Sequence, residues 1–150
     1  PIIASGGMAD GRSLVAALAL GADGVNMGTR FCATVEANIH QNVKQKIVDN
    51  TELDTVLVGR SLRNTARVAR NAISEQVAEI QKDPTKTFAD VKELMAGVRG
   101  RENVLAAGDT DGGIWTSGQS QALIHDIPTC ADLVKNIMAQ AEAVRKRIAA

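Results

Sequence analysis

Aromatic side chains are nearly absent from this chain, which has two Phe, one Trp and no Tyr among 150 residues. A stacking platform for single-stranded nucleic acid needs several such rings, so that function has almost nothing to be built from. An excess of charge is absent too, because 17 Lys and Arg stand against 17 Asp and Glu. A neutral chain projects no basic field toward a nucleic-acid backbone or an anionic membrane. Cysteine is scarce: Cys32 and Cys130 lie far apart with no CxxC pair, which argues against a disulfide framework or a thiolate zinc site and makes a reducing cytoplasm the simplest home. No apolar run approaches the roughly 18 residues of a membrane span, and the first residues lack a signal-peptide pattern. An initiating Met is missing as well. The chain opens on the apolar run Pro1-Ile2-Ile3-Ala4 and reads like a protein entered in its middle.

What is present is a globular composition, 45% apolar and 23% charged, which should bury a core. Pro1 to Ala4 is short and apolar, and Ser5-Gly6-Gly7 cuts it off, as at a strand running into a tight turn. Asp10 then stands as N-cap to a helix through Leu14, Ala17 and Leu18, with Gly21 as its stop. Asp23 to Gly28, with Val25 and Met27 two apart, reads as a second strand closed by a glycine turn. Strand, helix, strand in this order is a βαβ unit with parallel strands. From Phe31 to Asp49, Ile39, Val43 and Ile47 repeat every four residues and predict a helix with Gln41, Lys44 and Lys46 outside. Thr55 to Val58 fits an isolated strand. Ala69, Ile73, Val77 and Ile80 predict a helix over Asn64 to Lys82, ended by Pro84. Phe88, Val91, Leu94, Met95 and Val98 predict another, terminated by Gly97 and Gly100. Residues 35–104 thus read as a helical block. A glycine-dense loop follows from Gly108 to Gln119, and Thr129 caps a closing helix whose buried face carries Leu133, Ile137, Ala141, Val144 and Ile148.

The chemistry lies in the coincidence of two turns. If the two strands are parallel neighbours, Gly6-Gly7 and Gly28-Thr29 share the C-terminal edge of the sheet, where α/β proteins bind ligands. Glycine lets backbone N–H groups approach an anion, a following helix N-terminus adds positive potential, and Thr29 offers a hydroxyl. Either turn alone is most simply an ordinary βα connection. Together they favour a phosphate. Gly21-Ala22-Asp23-Gly24 is not a GxGxxG, so a dinucleotide fold is weakly supported. A complete β/α barrel needs about 250 residues. The order of elements suits the last two strands of one (1–34), a helical insertion (35–104), and a return loop with closing helix (105–150). Other residues invite plainer readings. His40 is a boundary histidine on a helix, His125-Asp126 a loop joint, Asp109 to Gly112 a failed calcium loop, and Cys32 a buried thiol. Arg60, Arg63, Arg67 and Arg70 form a basic stripe if they share a helix.

The segments Pro1-Ile2-Ile3-Ala4-Ser5-Gly6-Gly7-Met8-Ala9-Asp10-Gly11-Arg12 and Leu20-Gly21-Ala22-Asp23-Gly24-Val25-Asn26-Met27-Gly28-Thr29-Arg30-Phe31 resemble the C-terminal half of the nitronate monooxygenase family, formerly the 2-nitropropane dioxygenases. Arg60 to Arg67 and the pair Gly118-Gln119 extend the resemblance over essentially the whole chain. It implies an α/β fold, the C-terminal part of a TIM (β/α)8 barrel with a helical insertion after the last strand, that binds FMN and oxidises alkyl nitronates with O2. Ser5, Gly6 and Gly7 match the first phosphate turn; Asn26, Met27, Gly28 and Thr29 match the second; Gly118 and Gln119 match a loop returning toward the flavin. The family's catalytic histidine belongs to a region before residue 1, and neither His40 nor His125 matches it. The resemblance therefore implies a chain that holds the FMN phosphate, needs a complementary N-terminal half, and is inactive alone. A homo-oligomer stays open. The same turns would suit an FMN-dependent NAD(P)H reductase acting on a quinone or enoyl thioester, or a non-catalytic half-barrel.

Overall fold

The structure, a computed structural model, describes residues 1–149. It opens with the expected βαβ unit. Strand β1 (Ile3–Ser5) and strand β2 (Gly24–Asn26) pair in parallel, with Ser5 opposite Asn26, and helix α1 (Gly11–Ala19) crosses between them. Asp10 starts α1 with a reciprocal capping box, its carboxylate accepting from Ser13 N–H at 2.9 Å while Ser13 Oγ accepts from Asp10 N–H at 3.2 Å. The closing helix α7 (Cys130–Ala149) lies along α1. Gly11 makes that approach possible: a Cβ there would collide with the backbone of Ile137 and Ala141. Met27, Leu133 and Ile137 form the apolar cluster under this unit.

The middle of the chain departs from the helical block expected of it. The helix predicted from Phe31 is two helices, the single turn α2 (Thr29–Cys32) and α3 (Gln41–Asp49). Between them the backbone is irregular, and His40 begins α3 by accepting Asn42 N–H at Nδ1, 3.1 Å away. Lys44 is buried rather than outside, because its Nζ donates to the carbonyl of Val35 in that irregular segment at 3.0 Å. The expected strand is there as β3 (Thr55–Val58), but it is half of an antiparallel hairpin with β4 (Ala66–Ala69). Helix α4 (Ala72–Ile80) starts only at the Asn71 capping box, so the helix predicted from Asn64 loses its first turns to a strand. The reason is tertiary. Val68 is buried with Val58, Val77 and Val91, and β4 also bridges to Thr116, pairing that no local periodicity reveals. The arginine stripe disappears with that helix: Arg67 sits on β4, while Arg70 pairs with Glu75 at 3.1 Å.

Of the next predicted helix only α5 (Phe88–Val91) forms before a turn, and Gly97 and Gly100 lie within the following helical stretch instead of ending one. That stretch is α6 (Gly97–Arg99) continued by a π-helical run, Gly100–Ala106. Gly100 admits the carbonyl of Ile114 where a side chain would collide. A third apolar cluster, with Val43, Ile47, Ala69, Val104, Trp115 and Ile124, joins α3, the hairpin and the return loop. No described helix is long and apolar enough to cross a membrane.

Candidate functional site

The two glycine turns lie side by side at the C-terminal ends of β1 and β2. They open into one cavity of about 410 Å³. Gly6 and Gly7 follow β1 with φ of +86° and +76°, a backbone region that strongly favours glycine. Gly28 follows β2 with φ of −83°, so its backbone would accept a side chain. A Cβ added at Gly6, Gly7 or Gly28 would meet nothing within 4 Å. None of the turn, loop or cap hydrogen bonds among the described residues uses the N–H of these three glycines. The cradle therefore offers unengaged donors around open space.

The rest of the wall locks this edge in place. Asn26 Nδ2 donates to Ser5 Oγ at 3.1 Å, linking the two strand ends. Thr29 Oγ1 accepts Gly118 N–H at 3.0 Å, which ties the second turn to the return loop. Gln121, fully buried, fixes that loop by accepting the Ser117 hydroxyl at 2.6 Å and donating to the Thr51 carbonyl at 2.7 Å. Ser5, Gly6, Gly7, Asn26, Gly28, Thr29 and Gly118 thus meet around one space. Met27 and Gln119 do not line it. Met27 points its side chain into the core beside Leu133 and Ile137, whereas Gly118 and Ser120 flank Gln119 on the wall.

Arg67 is the one charged side chain on this wall, steadied by donation from Nη1 to Thr55 Oγ1 at 2.8 Å. Sequence reasoning singled it out but set it on a helix; only the hairpin brings it here. Thr116, Ser117 and Ser120 were missed, although the first two lie in the loop marked by its glycines and Ser120 directly follows it. Cys32 also borders the cavity, and burial pushes its thiol above the usual value, which keeps it protonated. Among the described residues no carboxylate or imidazole lines the space.

Helix termini contribute less than expected. Two of the first three N–H groups of α1 are taken, Gly11 N–H by Gln140 Oε1 at 3.0 Å and Ser13 N–H by Asp10. Helix α2 is a single turn, too short for a substantial dipole. The positive character of the cradle thus rests on loop amides and Arg67. Asp126 pairs with the buried Arg30 at 2.8 Å, so His125 and Asp126 form no dyad.

The family model for nitronate monooxygenase matches residues 1–140. The chain belongs to the nitronate monooxygenase family. A protein of Staphylococcus saprophyticus described as "Probable nitronate monooxygenase" is 32% identical over 98% of this chain and 40% of its own length. The (3aS,4S,5R,7aS)-5-hydroxy-7a-methyl-1-oxo-octahydro-1H-indene-4-carboxyl-CoA dehydrogenase of Rhodococcus jostii is also 32% identical, over 94% of this chain and 50% of its own. Among solved structures, FabK from Thermotoga maritima superposes with a TM-score of 0.89 at 36% identity, covering 99% of this chain and 46% of that one. The chain thus spans half or less of the length of each of these proteins, and its α/β fold follows that of FabK across the matched span.

Proposed function

We propose that this chain is the C-terminal part of an FMN-binding β/α barrel, whose glycine turns hold the FMN phosphate in an enzyme that oxidises alkyl nitronates with O2. The observation that carries the reading is the single cavity in which Gly6, Gly7 and Gly28 present free N–H groups around space their missing side chains leave open. A phosphate fits that donor set: the amides and the Thr29 hydroxyl donate to its oxygens, and Arg67 supplies the balancing charge. Asn26 and Ser5 hold the two turns at fixed separation, and Gly118 closes the rim through Thr29. Met27 anchors the second turn from beneath, and Gln119 stays outside the cradle. Bound there, FMN supplies the electron-accepting chemistry. Among the described residues the walls supply no general acid or base, since Arg67 is permanently charged and Cys32 is held as a thiol, so any proton transfer in the reaction falls to groups outside this cavity. The middle segment is a mixed insertion, with a β-hairpin among its helices that brings Arg67 to the cavity wall.

A second reading, an FMN-dependent NAD(P)H reductase of a quinone or enoyl thioester, is favoured by the close superposition on FabK and by the dehydrogenase among the relatives. Visible flavin absorbance of the purified protein tests the cofactor. Oxygen consumption with an alkyl nitronate, set against NADH oxidation with a quinone or enoyl thioester, separates the reactions. Protein that neither retains nor takes up flavin would refute both.

A further inference from the structure

The phosphate cavity has an apolar neighbour. Cys32 and Thr116 form a shared wall with a second cavity of about 330 Å³, lined by Ile39, Val43, Ile47, Leu105, Ile114 and Trp115. Ile39, Leu105 and Arg101 are shared in turn with an outer cavity of about 520 Å³. Across these adjacent cavities the environment changes from polar cradle to apolar hollow to a rim that carries a cation. Arg101 is exposed, takes part in none of the ion pairs among the described residues, and extends its guanidinium beside Gly97. An apolar cavity of this size suits a small-molecule site in which a few polar groups set orientation.

Building on the flavin reading of the first cavity, we propose that the second cavity takes the apolar body of the substrate, an alkyl or acyl chain with an anionic group at its remote end held by Arg101. Its reactive end would then point past Cys32 and Thr116 toward the cofactor cavity. The substrate class is an elongated amphiphile with a terminal carboxylate or phosphate.

Trp115, the one tryptophan of the chain, lies on this wall and reports occupancy. Its fluorescence, assigned by its loss in W115F, is followed while hexanoate and octanoate are titrated into the full chain below self-association, with octyl phosphate and 1-octanol alongside. The expected result is saturable binding that tightens about fourfold per added methylene. Octanoate or octyl phosphate should bind at least about tenfold tighter than octanol, the tighter of the two identifying the anion. R101Q should abolish that preference while leaving octanol affinity unchanged, and R101K should largely restore it. No saturable response, no dependence on chain length, or equal affinity for octanoate and octanol overturns the inference. Flavin absorbance of the same samples is a separate readout. Flavin retained without chain binding overturns this inference alone; chain binding by protein that never acquires flavin overturns the cofactor reading and the assignment of the chain as substrate.

Discussion

Gly28 separates space from strain. Gly6 and Gly7 have positive φ, so any side chain there strains the backbone as well as crowding the cavity. Gly28 does not, with φ of −83° and nothing within 4 Å of a built Cβ. Gly28→Val should therefore leave the circular dichroism and melting temperature nearly unchanged while lowering flavin retention about tenfold or more, a loss of roughly 1.4 kcal/mol or greater in binding. Normal flavin retention in a folded Gly28→Val protein would remove the cradle from the site. At Asp10 the prediction concerns pH. Burial raises its pKa, but the Ser13 N–H and the Arg12 guanidinium outweigh burial and hold the carboxyl below its ordinary value. Because the folded value is the lower one, the stabilisation is complete above about pH 5 and is lost as pH falls through the folded pKa. Asp10→Ala should cost about 1 kcal/mol at neutral pH. Asp10→Asn, which keeps a cap without a charge, should flatten the acid limb. Urea midpoints measured from pH 7 to pH 3 check both, and an unchanged acid limb in Asp10→Asn would refute the linkage.

Among the elements, the pairing of α1 with α7 is the most sensitive joint, since it brings backbone against backbone at Gly11. Gly11→Ala should destabilise by about 1–3 kcal/mol, as overpacking does elsewhere, although alanine is the better helix former. A denaturation midpoint equal to or above that of the native sequence would show that α7 yields freely. Those two helices and both flanking strands were legible in the sequence because their signals are local: a capping aspartate, glycine stops, short apolar runs. The hairpin was not. Ala69, Ile73, Val77 and Ile80 keep helical spacing across a boundary that falls at Asn71, and what makes Ala66–Ala69 a strand is its pairing with Thr55–Val58 and with Thr116. The same gap explains the site. The glycine turns announced themselves through composition and order, whereas Arg67 could be placed only by knowing the hairpin, and Met27 and Gln119 matched a motif whose backbone, not side chains, shapes the cradle.

The molecule as a whole is built on three apolar clusters rather than one. The cavity lies across the seam between them: its glycine turns belong to the βαβ unit under α7, while Arg67 and Thr116 belong to the hairpin and return loop. A phosphate bound between these parts would add to the contacts that already join them, among them the packing of Ala9 and Ala33 with Ala69 and Trp115 and the bond from Gly118 to Thr29. FMN should then raise the melting temperature with its concentration, contributing about 2.7 kcal/mol at a hundredfold excess over Kd, and it should sharpen the transition. Scanning calorimetry across an FMN series checks this, and a melting temperature indifferent to FMN would contradict it.

Gln140 sits on the last helix, far along the chain from the glycines, yet its amide oxygen holds the first N–H of α1, a few residues past Gly7. The floor beneath the first turn is thus pinned by helix α7. If the glycine turns hold a flavin, a nick that freed α7 would loosen that grip from outside the cradle, and fading colour would register damage done more than a hundred residues along the chain.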